Sequence, residues 1–342
     1  MRLADFDYVL PAELIAQHPL AERDRARMMI VNRAAGTISH SSFAALPLLL
    51  GQGDVLVVND SKVVPAHMTG RKETGGVVEL LLLEQTAVLS PSCESWEALL
   101  KPAHRVRPGM WVRFGEEGEA LIGKRLTAKK WELTIYARTS VTALRERQGQ
   151  VPLPPYIKRP AGTEDVVAYQ TIYARTPGSV AAPTAGLHFT PAVLGQLAAA
   201  GVPVAAVTLH VGYGTFAPVT AEAVEEHTME EESYVIGAKS ASLINTASRV
   251  VAVGTTSTRV LESAADEHGV VTPRLGRTRL FIYPGYRFRR VDALLTNFHL
   301  PRSSLYLLVC AFAGRELIER AYAAALAECY RFCSYGDCML IL

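Results

Sequence analysis

The stretch "VVAVGTTSTRVLES", residues 250–263, decides how the chain is read. Val250 to Val253 form an apolar run of strand length, too short for a buried helix. Gly254 breaks the run, and "TSTRVLESAADEHG" then reads as a helix. A strand feeding a helix through a small-residue turn is half of an α/β unit. Thr255, Thr256 and Ser257 fall where the first N–H groups of that helix lack partners. Such a terminus suits an anion, either a phosphate or a carboxylate. Arg259, one turn in, adds a fork of donors. The competing reading is an ordinary capped helix, because the lysine of a P-loop is missing.

Working outward, the same alternation recurs. "GDVLVVND" (53–60), "VPVAAVTLHV" (202–211), "LFIY" (280–283) and "ALLTNF" (293–298) read as strands. Thr190 as N-cap, Pro191 in the first turn and Gly201 as a stop predict a helix over 191–200. Thr220 to His227 reads helical. Leu317, Ile318, Ala321, Tyr322, Ala325 and Cys329 keep helical spacing near the C-terminus. The opening "FDYVLPAELIAQHP" reads as a short strand, a Pro-led helix start and a turn.

From about His67 to Gln150 the texture changes. Short β-rich runs ("VVELLLLE", "SWEALLK", "MWVRFG", "WELTIYA") alternate with Gly, Pro and charged turns, which predicts an all-β module such as a small barrel. "VPLPPYIKRP" after it reads as a linker returning to the first domain. The expected architecture is an α/β core made of 1–66 and 151–342, with residues 67–150 inserted.

Composition sets outer limits. The 342 residues allow two domains, and 49% apolar with 20% charged residues is ordinary globular usage. No apolar run is long enough to span a membrane, so no membrane partner is expected. "MRLADFDYVLPAEL" carries acidic residues where a signal peptide is basic and apolar, which gives a cytoplasmic reading. Five cysteines do not make a disulfide framework. Cys329, Cys333 and Cys338 are spaced C-x3-C-x4-C, with Cys329 read onto the apolar face of a helix. A structural zinc site needs a fourth ligand, so no metal is expected.

Three histidines fall in loops beside Gly, Pro and Thr. His188 lies in "AAPTAGLHFT" (181–190), a stiff small-residue loop with Thr184 and Gly186. His210 ends a strand before "VGYG", where Gly212 and Gly214 let backbone approach a ligand. His299 follows "ALLTNF". Ligands in open α/β sheets bind beyond the carboxyl ends of the strands, so one cleft is expected to collect His210, Gly254 and His299. Each histidine alone has a plain structural reading. "HTMEEESYVI" adds Glu230 to Glu232, of which two are expected on a solvated face.

Charge is uneven although the net is only +2. Between Val271 and Arg302 there are seven arginines against one acid, Asp292. "YPGYRFRR" interleaves aromatics with Arg287, Arg289 and Arg290, the composition of a single-stranded RNA contact. A basic hairpin on a solvated face is the plain alternative. The inserted module is mildly basic, with thirteen Lys/Arg against ten Asp/Glu between 67 and 150.

With these segments in view, the chain resembles the S-adenosylmethionine:tRNA ribosyltransferase-isomerase family of queuosine biosynthesis. The matching stretches run almost end to end. They include "DFDYVLPAELIAQHP", "VVPAHMTGRK", "VPLPPYIKRP", "YQTIYARTPGSVAAPTAGLHFT", "LHVGYGTF", "VAVGTTSTRVLES", "LFIYPGYRF", "TNFHLPRSSL" and "YRFCSYGDCML". The resemblance implies a discontinuous α/β core domain with an inserted antiparallel β-barrel. It implies transfer and isomerisation of the ribosyl part of S-adenosylmethionine onto 7-aminomethyl-7-deazaguanine at the wobble position of tRNA. Adenine and methionine leave, epoxyqueuosine-tRNA forms, and no metal is implied.

That chemistry needs a base beside the sulfonium, help for the departing adenine and a neutral attacking amine. The proton-transfer candidates are His188, His210, His299 and Glu232. The candidate substrate contacts are Thr184, Gly186, Gly212, Gly214, Thr255, Thr256, Ser257, Arg259 and Asn297. The Thr255–Arg259 turn is assigned to the methionine carboxylate, with a tRNA phosphate as the second choice. Arg71, Lys72, Arg287, Arg289 and Arg290 are the candidate RNA contacts, and a monomer is expected. Lys62, Glu230, Tyr213, Cys333 and Cys338 depart from the family pattern. An S-adenosylmethionine-dependent RNA methyltransferase and a non-catalytic tRNA-binding protein are the competing functions. The first lacks the usual acidic-x-Gly-x-Gly-x-Gly loop, and the second leaves the histidine loops idle.

Overall fold

The run around Val55–Val58 lies at the centre of the molecule. In the computed structural model, which describes residues 1–212 and 219–342, every residue of Asp54–Asn59 is buried. A strand covered on both faces needs this continuous apolar pattern. The chain begins with β1 (Arg27–Asn32), β2 (Thr37–Ser42), β3 (Asp54–Asn59) and the short β4 (Ser61–Val63). It then leaves the core for β5 (His67–Lys72), β6 (Val77–Ser90), β7 (Cys93–Lys101), β8 (Trp111–Arg113), β9 (Gly118–Arg125), β10 (Lys130–Ala137) and α1 (Val141–Gln148). The return passes α2 (Asp165–Ala168), β11 (Thr176–Ser179), α3 (Pro191–Ala199), β12 (Val204–Leu209), β13 (Glu232–Ile236) and α4 (Ala238–Thr246). Last come β14 (Arg249–Val253), α5 (Gly254–Ala264), β15 (Arg274–Thr278), β16 (Ala293–Asn297), α6 (Ser304–Ala313), α7 (Arg315–Ala327) and β17 (Cys338–Ile341).

The core is a nine-stranded mixed sheet in the order β15-β13-β12-β3-β14-β16-β17-β1-β2. β12, β3, β14 and β16 are mutually parallel. Their carboxyl ends, at Leu209, Asn59, Val253 and Asn297, therefore fall on one edge. Val55, Val57, Val250 and Ala252 face the apolar layer that includes α5, α6 and α7. Leu56, Val58, Val251 and Val253 face the layer that includes Phe43 and α3. Strand periodicity alone divides these neighbours between two cores.

The insertion is a closed antiparallel barrel, ordered β10-β7-β6-β5-β8-β9. β7 alternates buried and half-buried residues, as a barrel wall does. Val78, Leu80, Leu82, Ala98, Leu100, Val112, Ile122 and Leu133 fill its interior. Val141 and Leu144 of α1 join that cluster, so the insertion is not all-β. Ser140 caps α1 through Ala143 N–H at 3.1 Å. His67 and Gln150 exchange both backbone hydrogen bonds at 3.1 and 2.8 Å, which ties together the points where the chain enters and leaves the barrel. Since β4 follows β3 directly, the barrel hangs over the carboxyl edge of the parallel strands.

Several sequence expectations need correction. The N-terminal segment forms the single turns Leu3–Phe6 and Ala12–Leu14, without a strand or an α-helix. Of Thr220–His227 only Val224–Glu226 is helical, as one 3-10 turn. Among the described residues "LFIY" pairs with no strand, and the edge strand is the polar Arg274–Thr278 before it. The helix read as 256–269 starts at Gly254 and ends at Ala264. Cys329 lies beyond α7, exposed and at φ 50°.

Candidate functional site

A cleft of about 430 Å³ separates the barrel from the carboxyl edge of the sheet. Its size is that of a small-molecule site. Trp96, Glu97, Lys130 and Arg145 line the barrel side, and Gly178, His210, Gly212 and Glu232 line the core side.

His210 enters the cleft because β12 ends at Leu209. Its ring lies against Gly178, where an added Cβ would come within 2.8 Å of Nδ1. Gly178 also sits at φ +138°, so glycine is needed there twice over. Burial lowers the pKa of His210, and the nearby Asp60 carboxylate opposes that. Nδ1 has no hydrogen-bond partner among the described residues. Asp60 is fixed by the Thr208 hydroxyl at 2.6 Å. The side-chain oxygen of Asn59 accepts from Leu209 N–H at 3.0 Å and holds the strand end in place. Sequence reasoning passed over both residues, although the "ND" that closes "GDVLVVND" was a visible signal.

Glu232 is buried, and both carboxylate oxygens are engaged. One receives the Arg259 guanidinium, the other the Gly212 N–H at 3.1 Å. Glu232 is thus suited to orienting Gly212 and less to carrying protons. The other carboxylates of "EEE" are half-exposed or exposed and ion-paired, Glu231 with Arg277 and Arg279, Glu230 with Lys130 of the barrel. Glu230, a departure from the family pattern, therefore bridges the two domains at 3.0 Å. Gly214 and Tyr213 lie outside the described residues.

The N-terminus of α5 opens on a separate cavity of about 30 Å³, lined by Thr184, Gly254, Thr255, Thr256, Asn297 and His299. Gly254 begins the helix at φ +86°, and Val253 supplies no side-chain cap. Thr256 Oγ1, Ser257 Oγ and Arg259 Nη2 have no hydrogen-bond partner among the described residues. The other guanidinium nitrogens of Arg259 are taken by Glu232 and by Leu280 O at 2.9 Å. His299 is closed in: Thr296 Oγ1 lies 2.8 Å from Nε2, and the Tyr322 hydroxyl accepts from the His299 backbone N–H at 2.9 Å. Burial pushes its pKa down to about 3.

His188 lies in a third cavity, again about 30 Å³, with Arg23, Leu187, Ser334 and Tyr335. Its Nε2 faces Asn297 Oδ1 at 3.3 Å, and its ring packs 5.2 Å from Phe43. Burial pushes its pKa down to about 4. The single cleft expected to collect His210, Gly254 and His299 is thus two spaces, with Gly254 and His299 together in one and His210 in the other, and His188 lies in a third. Val211 lines both the cleft and the α5 cavity, and Asn297 separates the latter from His188. Gly186 has another reason to be glycine: an added Cβ would fall 2.0 Å from the Tyr173 hydroxyl oxygen.

The basic stretch divides. Arg290 turns inward to the carbonyls of Ile244 and Ala247 at the end of α4, the position a cation favours. Tyr286 donates to Glu262 at 3.2 Å and Phe288 packs on Phe312 at 4.9 Å, so these aromatics are held by the core. This corrects the reading of Arg290 and the two rings as an RNA platform. Buried Glu262 organises the loop by accepting the N–H groups of Arg289, Arg290 and Val291 at 2.8–3.0 Å. Arg287 and Arg289 are exposed, although Arg289 also reaches Ala265 O at 3.4 Å. On the barrel, Arg71 is exposed opposite Arg113, and Lys72 donates to Arg105 O at 3.1 Å. Neither lines the cleft. Lys62 is exposed on β4. Cys333 and Cys338 are buried free thiols, and no group of three metal-ligating side chains occurs among the described residues. The sequence also missed Arg145, which lies over the Trp96 ring at 4.8 Å in the cleft wall.

Comparison with known proteins places this arrangement. The family model described as "Queuosine biosynthesis protein" matches residues 3–341. An S-adenosylmethionine:tRNA ribosyltransferase-isomerase of Syntrophus aciditrophicus is 54% identical over the whole of both chains. Its counterpart from Pelobacter propionicus is 48% identical, again over both full lengths. The crystal structure of an S-adenosylmethionine tRNA ribosyltransferase from Thermotoga maritima has 34% identity and a TM-score of 0.55, covering 99% of this chain and all of its own. With the fold, the order of motifs and full-length identity in agreement, the chain belongs to the queuosine biosynthesis protein family.

Proposed function

We propose that the chain is an S-adenosylmethionine:tRNA ribosyltransferase-isomerase that acts on a 7-aminomethyl-7-deazaguanine at the wobble position of tRNA. The products are epoxyqueuosine-tRNA, adenine and methionine. The observation that carries this reading is the 430 Å³ cleft at the carboxyl edge of the parallel strands, with a barrel as its opposite wall. A base in a small folded RNA must leave its stack to be modified, and a cleft between two domains can receive it.

His210, which lines the cleft, is the first proton-transfer candidate, and His188, in the cavity behind Asn297, is the second. A histidine kept neutral by burial can accept the weakly acidic proton beside the sulfonium and later return one. Glu232, locked to Arg259, holds the Gly212 backbone against the ligand. The N-terminus of α5, with the Thr256 hydroxyl, supports a methionine carboxylate better than Arg259 does, since two of the three guanidinium nitrogens are already engaged. The enzyme works as a cytoplasmic monomer without a metal.

The test is direct. The protein is mixed with S-adenosylmethionine and tRNA bearing the aminomethyl-deazaguanine, and free adenine and the modified nucleoside are assayed. Adenine release matched by epoxyqueuosine supports the reading. Methylated tRNA with S-adenosylhomocysteine replaces it by a methyltransferase, and binding without turnover by an RNA-binding protein.

A further inference from the structure

We infer that Asn297 is a positioning residue for His188, whose side-chain amide fixes the ring nitrogen that carries the proton. The inference rests on the reading of His188 as a proton-transfer group. It moves Asn297 from substrate contact to a role behind the site.

The amide has one orientation that satisfies its surroundings. Nδ2 donates to Cys333 O at 2.9 Å and to Ser334 O at 3.3 Å. Reversing the amide would set its oxygen against two carbonyl oxygens and leave the donor aimed elsewhere, in a site where Asn297 is 2% exposed. Oδ1 is therefore the atom that meets His188 Nε2 at 3.3 Å. An acceptor at that point requires Nε2–H, so the neutral ring keeps its lone pair on Nδ1.

The surroundings also prepare the ring for a second proton. The hydrogen bond to the Asn297 amide oxygen favours the charged form, as does the Asp337 carboxylate. The Arg23 guanidinium opposes it, Tyr335 lines the same cavity, and Phe43 offers only an apolar face. Burial outweighs both favourable influences at rest. A proton accepted at Nδ1 during reaction would leave the Nε2–H bond to Asn297 in place, with no reorganisation needed.

The experiment uses full-length protein with 15N-labelled histidine. Long-range 1H–15N spectra of the wild type are expected to show His188 in the Nε2–H form. Asn297→Asp places a carboxylate against the same nitrogen and should raise the His188 titration midpoint by about 1 to 3 pH units. The acid limb of kcat should move up in pH with it, because activity is lost when the base is already protonated. An Nδ1–H wild-type ring, or an unmoved midpoint in the folded variant, overturns the inference. Should Asn297→Asp not fold, the wild-type tautomer decides alone. A raised midpoint with an unchanged kcat profile keeps Asn297 in its role and removes His188 from proton transfer.

Discussion

His210 and His188 lie on either side of one strand edge, and they differ in room and in partners. His210 faces a cleft of about 430 Å³ and has an unpartnered Nδ1 among the described residues. His188 faces about 30 Å³ and has its Nε2 set against Asn297. The same residue type, depressed by burial in both places, is thus open to a ligand in one and held by protein in the other. Space for substrate, and not a shifted pKa, separates them.

The largest effect should come from removing each ring in turn. His210→Ala is expected to lower single-turnover rates by about 10²- to 10⁴-fold, the range for a positioned acid or base. His188→Ala should fall in the same range, with tRNA binding little changed. A near-normal rate in either variant makes that histidine structural and leaves the other to carry the chemistry. Loss of both rates with intact S-adenosylmethionine binding would support the pair.

Next is the ion pair beneath the cleft. Arg259 and Glu232 are both at most 6% exposed on their side chains. Arg259→Ala leaves a buried carboxylate uncompensated, which costs about 3–5 kcal/mol. Arg259→Met with Glu232→Gln should restore much of that stability in urea unfolding, yet leave turnover low if Glu232 orients Gly212. Full activity in the folded double variant would sever the pair from function.

On the His188 side, the neighbouring Asp165 provides a pH test. Arg159, the Tyr335 hydroxyl and Gly162 N–H hold its carboxyl down to about 2, against burial, from a usual 3.8. The folded value lies below the unfolded one, so the stabilisation is present above pH 3.8 and is lost as pH falls through about 2. Asp165→Asn should remove roughly 2 kcal/mol at neutral pH and flatten stability across that acid window. An unchanged acid unfolding profile would show that the tie contributes little.

What could be read from the sequence follows from how local each signal is. The β14–α5 junction, the α3 N-cap and the alternating barrel strands are set by neighbours in the chain, and they appear where expected except that α5 already starts at Gly254. "LFIY" misled because its apolar residues pack against the core without pairing to a strand. The three histidine loops all reach the expected edge, but side-chain packing at Val211 and Asn297 partitions that edge, and no spacing rule encodes it. Arg290 misled for a similar reason. Its helix-end partners, Ile244 and Ala247, are more than forty residues away.

The smallest effect compares Arg287 with Arg290, two arginines of one loop with opposite surroundings. Arg290 is bound to the end of α4 and its side chain is 13% exposed. Arg290→Gln should lower stability by about 1–3 kcal/mol through unpaired carbonyls. The salt dependence of tRNA affinity should stay as it was. Arg287 is exposed and is expected to meet a phosphate. Each single-stranded phosphate contact contributes about 0.7 to the slope of log affinity against log salt. Arg287→Gln should flatten the slope by about that amount, leave unfolding unchanged and leave S-adenosylmethionine binding intact. Reversal of the two outcomes would return Arg290 to the RNA surface. A flat response from both would move the search to the barrel, beginning with Arg71 and Lys72, which lie on a wall that does not line the cleft.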